Sequence, residues 1–583
     1  MTSSQPRVRR NEWGSLLVPP LGLWQPHLNV SIVMPAYGAH RTLPYVLAGL
    51  AAQTYPSHLV EVIVVDDGAH AGQQPLELPE VRPDNARIVR VEEGWGRANA
   101  CHLGAGLAEG DVIHWLDADM LPSREHVEAQ LRWHHEIDYA VVSGHKWFVD
   151  PAPLDGVSPA DVLEAVLADQ MDKYFPGDVL ERHEWVERYY ERYDDLRTIG
   201  PRACRMNVGA TASLARALYF DSGGMDTTLK LGEDIALGYR LGEAGAVFLP
   251  DREARSWHLG RTHVMNRRTE VNDYNDCFMS DRLPELRNKR RAGRLYAVPY
   301  LEVVLDTTGL PYASVIATID SVLGGTLPDL MVTLVGRWSE LDDTRIHPLD
   351  DPMLDTRLIH ASYAGDPRVH LVESLPEGRC PAMFRMTLEN AEWAPTHKTV
   401  ARLLHNLERT HHGLRIIRMP DGSSARIERT AAVSRAHHVI KSGEFLDDVL
   451  DELFGAGTFE AAEVGFWPCQ EVVRARMQGT AGEAEDPATA WDHTDVPLAP
   501  SLKTSLKAEA RAAAKADRSA PARQDPPPVE SLARPLARPL ARQLARPLAR
   551  QLARPLARPL ARPLARGLPP SVRRRVAALL GRR

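Results

Sequence analysis

Residues 112–122 read VIHWLDADMLP, an apolar run that ends on two carboxylates, Asp117 and Asp119, with only Ala118 between them. Like charges this close repel, so the pair calls for something positive between them. Two acids one residue apart at a strand end can share a divalent cation. Their oxygens suit Mg2+ or Mn2+, which commonly bridge to phosphates, and a diphosphate would complete the coordination. A D-x-D alone is also what a solvated acidic turn looks like. Here it follows an apolar strand, precedes Leu-Pro, and lies downstream of a second strand that ends in acid, VEVIVVDDG, with Asp66 and Asp67.

The elements that must position these acids alternate. NVSIVMP, VEVIVVDDG, ARIVRVEE and DVIHWLDAD read as strands, with TLPYVLAGLAAQTYP and GRANACHLGAGLAEG as helices between them. That alternation predicts a parallel sheet covered on both faces, with ligands bound at the carboxyl ends of the strands. Asp66, Asp67, Asp117 and Asp119 all fall at such ends. Residues 159–197 read instead as helices, and Trp185, Tyr189 and Tyr193, spaced by four, share one face. That stripe reads either as packing or as a wall on which the apolar face of a sugar could stack.

At 583 residues the chain is too long for one compact core. No run of apolar residues is long enough to span a membrane, and the start, MTSSQPRVRRNEWG, has no apolar run behind its basic residues, so no secretory signal is expected. Five scattered cysteines without a CxxC suit a reducing compartment and exclude a disulfide framework or a thiolate zinc site. The net charge of −8 conceals an asymmetry: residues 501–583 carry 20 Lys and Arg against 4 Asp and Glu, a net of +16, which leaves −24 for residues 1–500.

A second unit begins near Leu295 and reads as a copy of the first. LEVVLDTTG follows the pattern of VSIVMPAYG, DPRVHLVES that of DNARIVRVEE, and LENAEWAPTHKTVARLL that of LDADMLPSREHVEAQL. The copy lacks the chemistry, with Val335 and Gly336 in place of Asp66 and Asp67, and Asn390 and Glu392 in place of Asp117 and Asp119. The expected organisation is therefore a catalytic domain over 1–290, a degenerate copy over 296–478, and a disordered, low-complexity basic tail over 479–583. Within that tail LAR recurs every four residues, and frequent proline forbids a continuous helix.

Taken together, VSIVMPAYG, VIVVDDG, GRANACHLGAGLAEGDVIHWLDAD, SGGMD and LGEDIALGYRLGEAG resemble family 2 glycosyltransferases of the GT-A fold over the first 265 or so residues. The resemblance implies an αβα sandwich that binds a nucleotide-diphospho-sugar, here duplicated, with Mn2+ or Mg2+ and inversion at the anomeric carbon. It implies nucleoside contacts at Pro35, Tyr37 and Asp67, with Asp66 beside them, and a diphosphate neighbour at Arg97. Asp117 would lie near the ribose or metal, and Asp119 would be the direct metal ligand. Asn99 and Gly104 match the helix pattern, Asn99 as a structural capping residue. Glu233-Asp234 matches the acidic pair facing the acceptor, with Asp234 as general base and Glu233 binding acceptor hydroxyls. SWHLGRTH resembles the segment that supplies a histidine ligand in polypeptide N-acetylgalactosaminyltransferases, which makes His258 the third metal ligand and His263 its reserve. The His134-His135, His411-His412 and His437-His438 doublets read as ordinary.

The implied donor is a UDP-sugar, and the implied acceptor is a cell-envelope polysaccharide, glycolipid or lipid-linked glycan. A non-catalytic nucleotide-sugar-binding scaffold and a sugar nucleotidyltransferase are the alternatives. The second lacks the glycine-rich basic loop that it would carry after the first strand. The expected location is cytoplasmic, with the basic tail as a peripheral contact on the inner membrane face. No nucleic-acid partner is expected, because the tail has no aromatics to stack on bases.

Overall fold

The structure, a computed structural model, describes residues 5–262, 265, 267–343 and 345–471. His263, the end of the second unit and the whole basic tail lie outside the described residues, and so do the roles expected of them. Residues Met1–Asp495 form one compact unit. Among the described residues no helix is long and apolar enough to cross a membrane.

The first sheet is built on β1 (Val30–Ala36), β2 (Val60–Asp66), β3 (Ala86–Arg90) and β4 (Val112–Leu116), all parallel, in the order β3-β2-β1-β4. Every residue of β1, β2 and β4 is buried, as continuous Val/Ile-rich runs covered on both faces require. Helices α1 (Leu43–Ala51) and α2 (Arg97–Leu107) connect them. In α2 the small residues allow a very close approach to the sheet. A Cβ on Gly104 would stand 2.4 Å from a Val33 methyl, so only glycine fits there.

Beyond β4 the sheet departs from the all-parallel expectation. β5 (Met120–Pro122), β6 (Ala140–Val149), β7 (Glu181–Arg182), β8 (Thr211–Ala215) and β9 (Val247–Leu259) continue it in the order β4-β8-β6-β9-β5, with β7 on β6. β8 runs antiparallel to both β4 and β6. One edge of the sheet thus gathers the carboxyl ends of β1, β2, β4 and β6 and the amino end of β8. Around it lie α3 (His126–His134), α4 (Pro159–Leu167), α5 (Glu184–Arg192), α6 (Arg216–Asp221) and α7 (Glu233–Glu243). Helix α4 opens on a capping box, with Ser158 Oγ accepting from Asp161 N–H. The region expected to be helical over 159–197 is interrupted between Leu167 and Glu184 by short turns and β7.

After α8 (Arg268–Arg282) a second sheet follows, with β10 (Leu301–Asp306), β11 (Leu330–Val335), β12 (Val369–Val372), β13 (Phe384–Leu388), β15 (Leu414–Arg418), β16 (Ser424–Arg429) and β17 (Ala456–Glu460) in the order β12-β11-β10-β13-β16-β15-β17. Strand for strand this is the order β3-β2-β1-β4-β8-β6-β9. The senses correspond too: β13/β16 and β15/β16 are antiparallel, and β15/β17 is parallel. The separate pair β14 (Trp393–Pro395) and β18 (Phe466–Pro468) is antiparallel, like β5 and β9.

The two sheets share an apolar seam. Trp133, Tyr139, Val247 and Leu249 of the first pack with Ala432, Ala436, Leu450 and Phe454 of the second, with Val8 and Trp13 of the N-terminal arm between them. Arg435, fully enclosed, donates to the carbonyl oxygens of Val8 and Arg10 (3.0 Å each) and of Ala246 (2.6 Å). A buried cation whose donors all meet carbonyls satisfies its desolvation need locally.

Candidate active site

Asp66 closes β2, Asp67 follows it, and the two side chains meet different partners. Asp66 is buried, and its Oδ1 accepts from Gly68 N–H (2.9 Å) and its Oδ2 from Leu76 N–H (3.2 Å). It braces the following loop, each of its oxygens accepting one backbone N–H. Asp67 accepts from Gly96 N–H (2.7 Å) through Oδ2, while its Oδ1 is sealed from solvent with no partner among the described residues. Burial raises its carboxyl against the pull of the Gly96 N–H and Lys230. Pro35 is buried within β1 and presents no surface, whereas Tyr37, just past the strand, is 63% exposed. Asn99 Nδ2 donates to Glu93 O (2.9 Å), so it braces the loop before α2, as a structural residue should.

Arg97 opens α2 and is the hub of the site. Its Nε and Nη2 donate to Asp117 Oδ1 (3.1 and 2.9 Å), its Nη1 donates to Glu233 Oε1 (3.2 Å), and its Nη2 also meets the carbonyl oxygen of Gly209. The planar fork of a guanidinium suits such multiple recognition. Burial alone would depress its pKa, but Asp117, Glu233 and Asp234 outweigh that and hold it well above the ordinary value. Arg97 therefore joins the strand-end acids to the acidic pair of α7, 136 residues away.

Asp119 lies one turn beyond β4. Its Oδ1 is sealed with no hydrogen-bond partner among the described residues, and its Oδ2 stands 3.9 Å from His258 Nε2. Burial and the neighbouring Asp117 push its carboxyl up to about 7. His258 is brought there because Met120 of β5 pairs with it across β9. Burial and Lys146 lower the imidazole to about 4, so the ring is neutral and able to ligate, although no partner among the described residues fixes its Nδ1. Glu233 is buried, and burial and Asp234 raise its carboxyl. Asp234 is half-exposed at the start of α7, its Oδ2 3.4 Å from Gly209 N–H.

Two site residues are missed by the sequence reading. Lys146, buried on β6, acts on Asp117, Asp234 and Asp119, while burial lowers its ammonium to about 8. A lysine inside the apolar run AVVSGHKWFV was the available signal. Trp95, 57% exposed, carries Lys230 Nζ 4.6 Å from its ring centroid, beside the Gly96 that holds Asp67.

These residues fit a divalent cation. Four acids, Asp117, Asp119, Glu233 and Asp234, gather around two basic groups, Arg97 and Lys146, a surplus of acid that a cation would offset. The partnerless Asp119 Oδ1 is an oxygen ligand without an occupation. Among the described residues no three His, Cys, Asp or Glu groups form a ready ligand cluster, so further ligands would come from substrate oxygens, as Mg2+ sites commonly arrange.

Residues 31–173 match the family described as "Glycosyl transferase family 2". The hyaluronan synthase of Pasteurella multocida is 25% identical over 369 residues, covering 60% of this chain and 36% of that one. The validoxylamine A glucosyltransferase of Streptomyces hygroscopicus subsp. limoneus is 28% identical over 255 residues, covering 41% and 53%. The undecaprenyl-phosphate 4-deoxy-4-formamido-L-arabinose transferase of Aeromonas hydrophila is 34% identical over 94 residues, covering 16% and 29%. The chain thus spans about half or less of the length of these relatives. The match to glycosyl transferase family 2 runs from β1 past the D-x-D into the helical segment.

Proposed function

We propose that the first sheet unit transfers a sugar from a nucleotide-diphospho-sugar to a hydroxyl of a cell-envelope glycan or glycolipid, with inversion and with a bound Mn2+ or Mg2+. The observation that carries this reading is the meeting of the D-x-D with the Glu233-Asp234 pair through Arg97, beside an Asp119 oxygen that the fold leaves unused. The family match over residues 31–173 and relatives whose names specify glycosyl transfer support it.

In the proposed reaction the acceptor oxygen forms a bond to the anomeric carbon as the bond to the diphosphate oxygen breaks, and the leaving group takes the electron pair. Asp234, half-exposed at the mouth, takes the acceptor proton. Glu233, fixed by Arg97, orients acceptor hydroxyls. Asp119, His258 and Asp117 would hold the cation, which when bound offsets charge on the departing diphosphate. Lys146 keeps the crowded acids compatible. Asp67 and Tyr37 flank the nucleoside, with a UDP-sugar as the favoured donor, and Asp66 shapes their loop.

We read residues 296–478 as a degenerate copy without transfer activity. Its strand order supports this, and so does the local use of its acids: Glu389 accepts from Ser424 N–H and Oγ–H, 2.7 and 2.8 Å away. The test is nucleoside-diphosphate release from a panel of nucleotide sugars with Mn2+ and with chelator. Metal-dependent release that is lost in Asp119→Ala is expected, and undiminished release in either arm rejects the reading.

A further inference from the structure

Helix α5 presents two different faces. Val186, Glu187 and Tyr190 are buried against the first sheet, and Glu187 is clamped by His145 (3.2 Å) and Arg252 (3.0 Å). Trp185 and Tyr189 project elsewhere, 41% and 38% exposed, and only Tyr193 at the helix end packs partly on the core. Two large aromatic rings left partly exposed at helical spacing, on a helix anchored by another face, offer an apolar surface to a ligand.

Ring contacts connect the row to the transfer site, the last of them beneath the surface through the buried Phe148 and His258. Tyr193 and Tyr189 are 5.7 Å apart between ring centroids, Tyr189 and Trp185 6.3 Å, Trp185 and His183 5.3 Å, His183 and Phe148 5.3 Å, and Phe148 and His258 4.9 Å. His258 faces Asp119. The start of the row is fixed by β7, where Arg182 and Glu181 pair with Trp147 and Phe148 of β6. Successive rings are edge-on or tilted, at 81° and 38° along α5, so the row is a corrugated wall.

We propose that this wall binds the acceptor as a saccharide chain of several sugars, stacking the apolar faces of successive pyranose rings and feeding the chain end to Asp234. The inference rests on the transfer reading above and names its acceptor class. An aromatic face with a polar tip suits a sugar ring, which is apolar on its C–H face and hydroxylated at its rim. Rings of a glycan that turn about the chain axis match a corrugated surface better than a flat one. The row's length makes the prediction specific: affinity grows with acceptor length.

The experiment titrates the full chain, without donor, with cello- and chito-oligosaccharides from disaccharide to hexasaccharide by calorimetry, in wild type, Trp185→Ala/Tyr189→Ala and Trp185→Phe/Tyr189→Phe. The expected result is tighter binding with length in wild type, at least about tenfold weaker hexasaccharide binding in the alanine pair, and retention in the phenylalanine pair. Melting temperatures that match wild type, as exposed positions should give, tie the loss to the wall. No length dependence in wild type, or equal hexasaccharide affinity in the alanine pair, overturns the proposal. The nucleotide-release assay on Asp119→Ala tests the transfer reading separately, so failure of one is distinguishable from failure of the other.

Discussion

The carboxyl edge of β1, β2 and β4 and that of β10, β11 and β13 occupy corresponding places in two sheets of one strand order, and their acids are treated in opposite ways. In the first, Asp117, Asp119 and Glu233 are crowded beside Arg97 and Lys146, and one Asp119 oxygen has no partner among the described residues. In the second, Glu389 caps Ser424, Asn390 Oδ1 accepts from Glu392 N–H (3.0 Å), and Glu392 itself lies exposed. Position in the sheet is thus insufficient for a site. What distinguishes the first edge is acid kept desolvated and unspent, a costly arrangement that a fold with no use for it would relieve by local hydrogen bonds.

The sharpest way to break this comparison is at the proton acceptor. Asp234→Asn is expected to lower kcat by about a thousandfold while donor affinity stays close to wild type, because only proton abstraction is lost. A parallel collapse in donor affinity, read by calorimetry, would move Asp234 into the donor site. Next in size, Asp119→Ala is expected to lower sugar transfer by at least about a hundredfold.

Arg97→Lys sharpens the account further. A lysine cannot span Asp117 and Glu233 as the guanidinium does, so kcat/KM should fall roughly tenfold despite the conserved charge. Unchanged kinetics would show that the bridge between the two acid pairs is dispensable. The smallest effect belongs to the second edge. Glu389→Ala should leave transfer within about twofold of wild type and cost on the order of 1 kcal/mol of stability through the lost Ser424 bonds, measured by denaturant melts. A large loss of transfer there would contradict the division of labour between the two sheets.

How much of this was legible in the sequence depends on the range of each interaction. The strand-end acids could be placed because an apolar run stopping at Asp66 or Asp117 marks a strand end locally. The close seat of α2 was visible in its run of small residues. Three features were not legible because they depend on partners outside the strand or helix that carries each residue. Asp66 turns inward to hold Leu76 N–H, Arg97 spends itself on Asp117 and Glu233, and Lys146 enters the cleft from a strand whose composition reads as core. The mixed sense of the first sheet beyond β4 escaped for the same reason, since β8 inserts between β4 and β6 from much later in the chain. The apolar seam that joins the two sheets was hidden as well, because a helix such as Thr430–Val439 shows an apolar face but not which sheet receives it.

The central claim is that the first edge alone performs metal-dependent sugar transfer. Its most direct test is mass spectrometry of glycosylated product from the full chain, supplied with nucleotide sugars and cell-envelope acceptors, with Mn2+ or with excess chelator. The account predicts product with Mn2+, little or none with chelator, and little or none from Asp119→Ala in either condition. Product formed at the wild-type rate under chelation, or by Asp119→Ala, would contradict it.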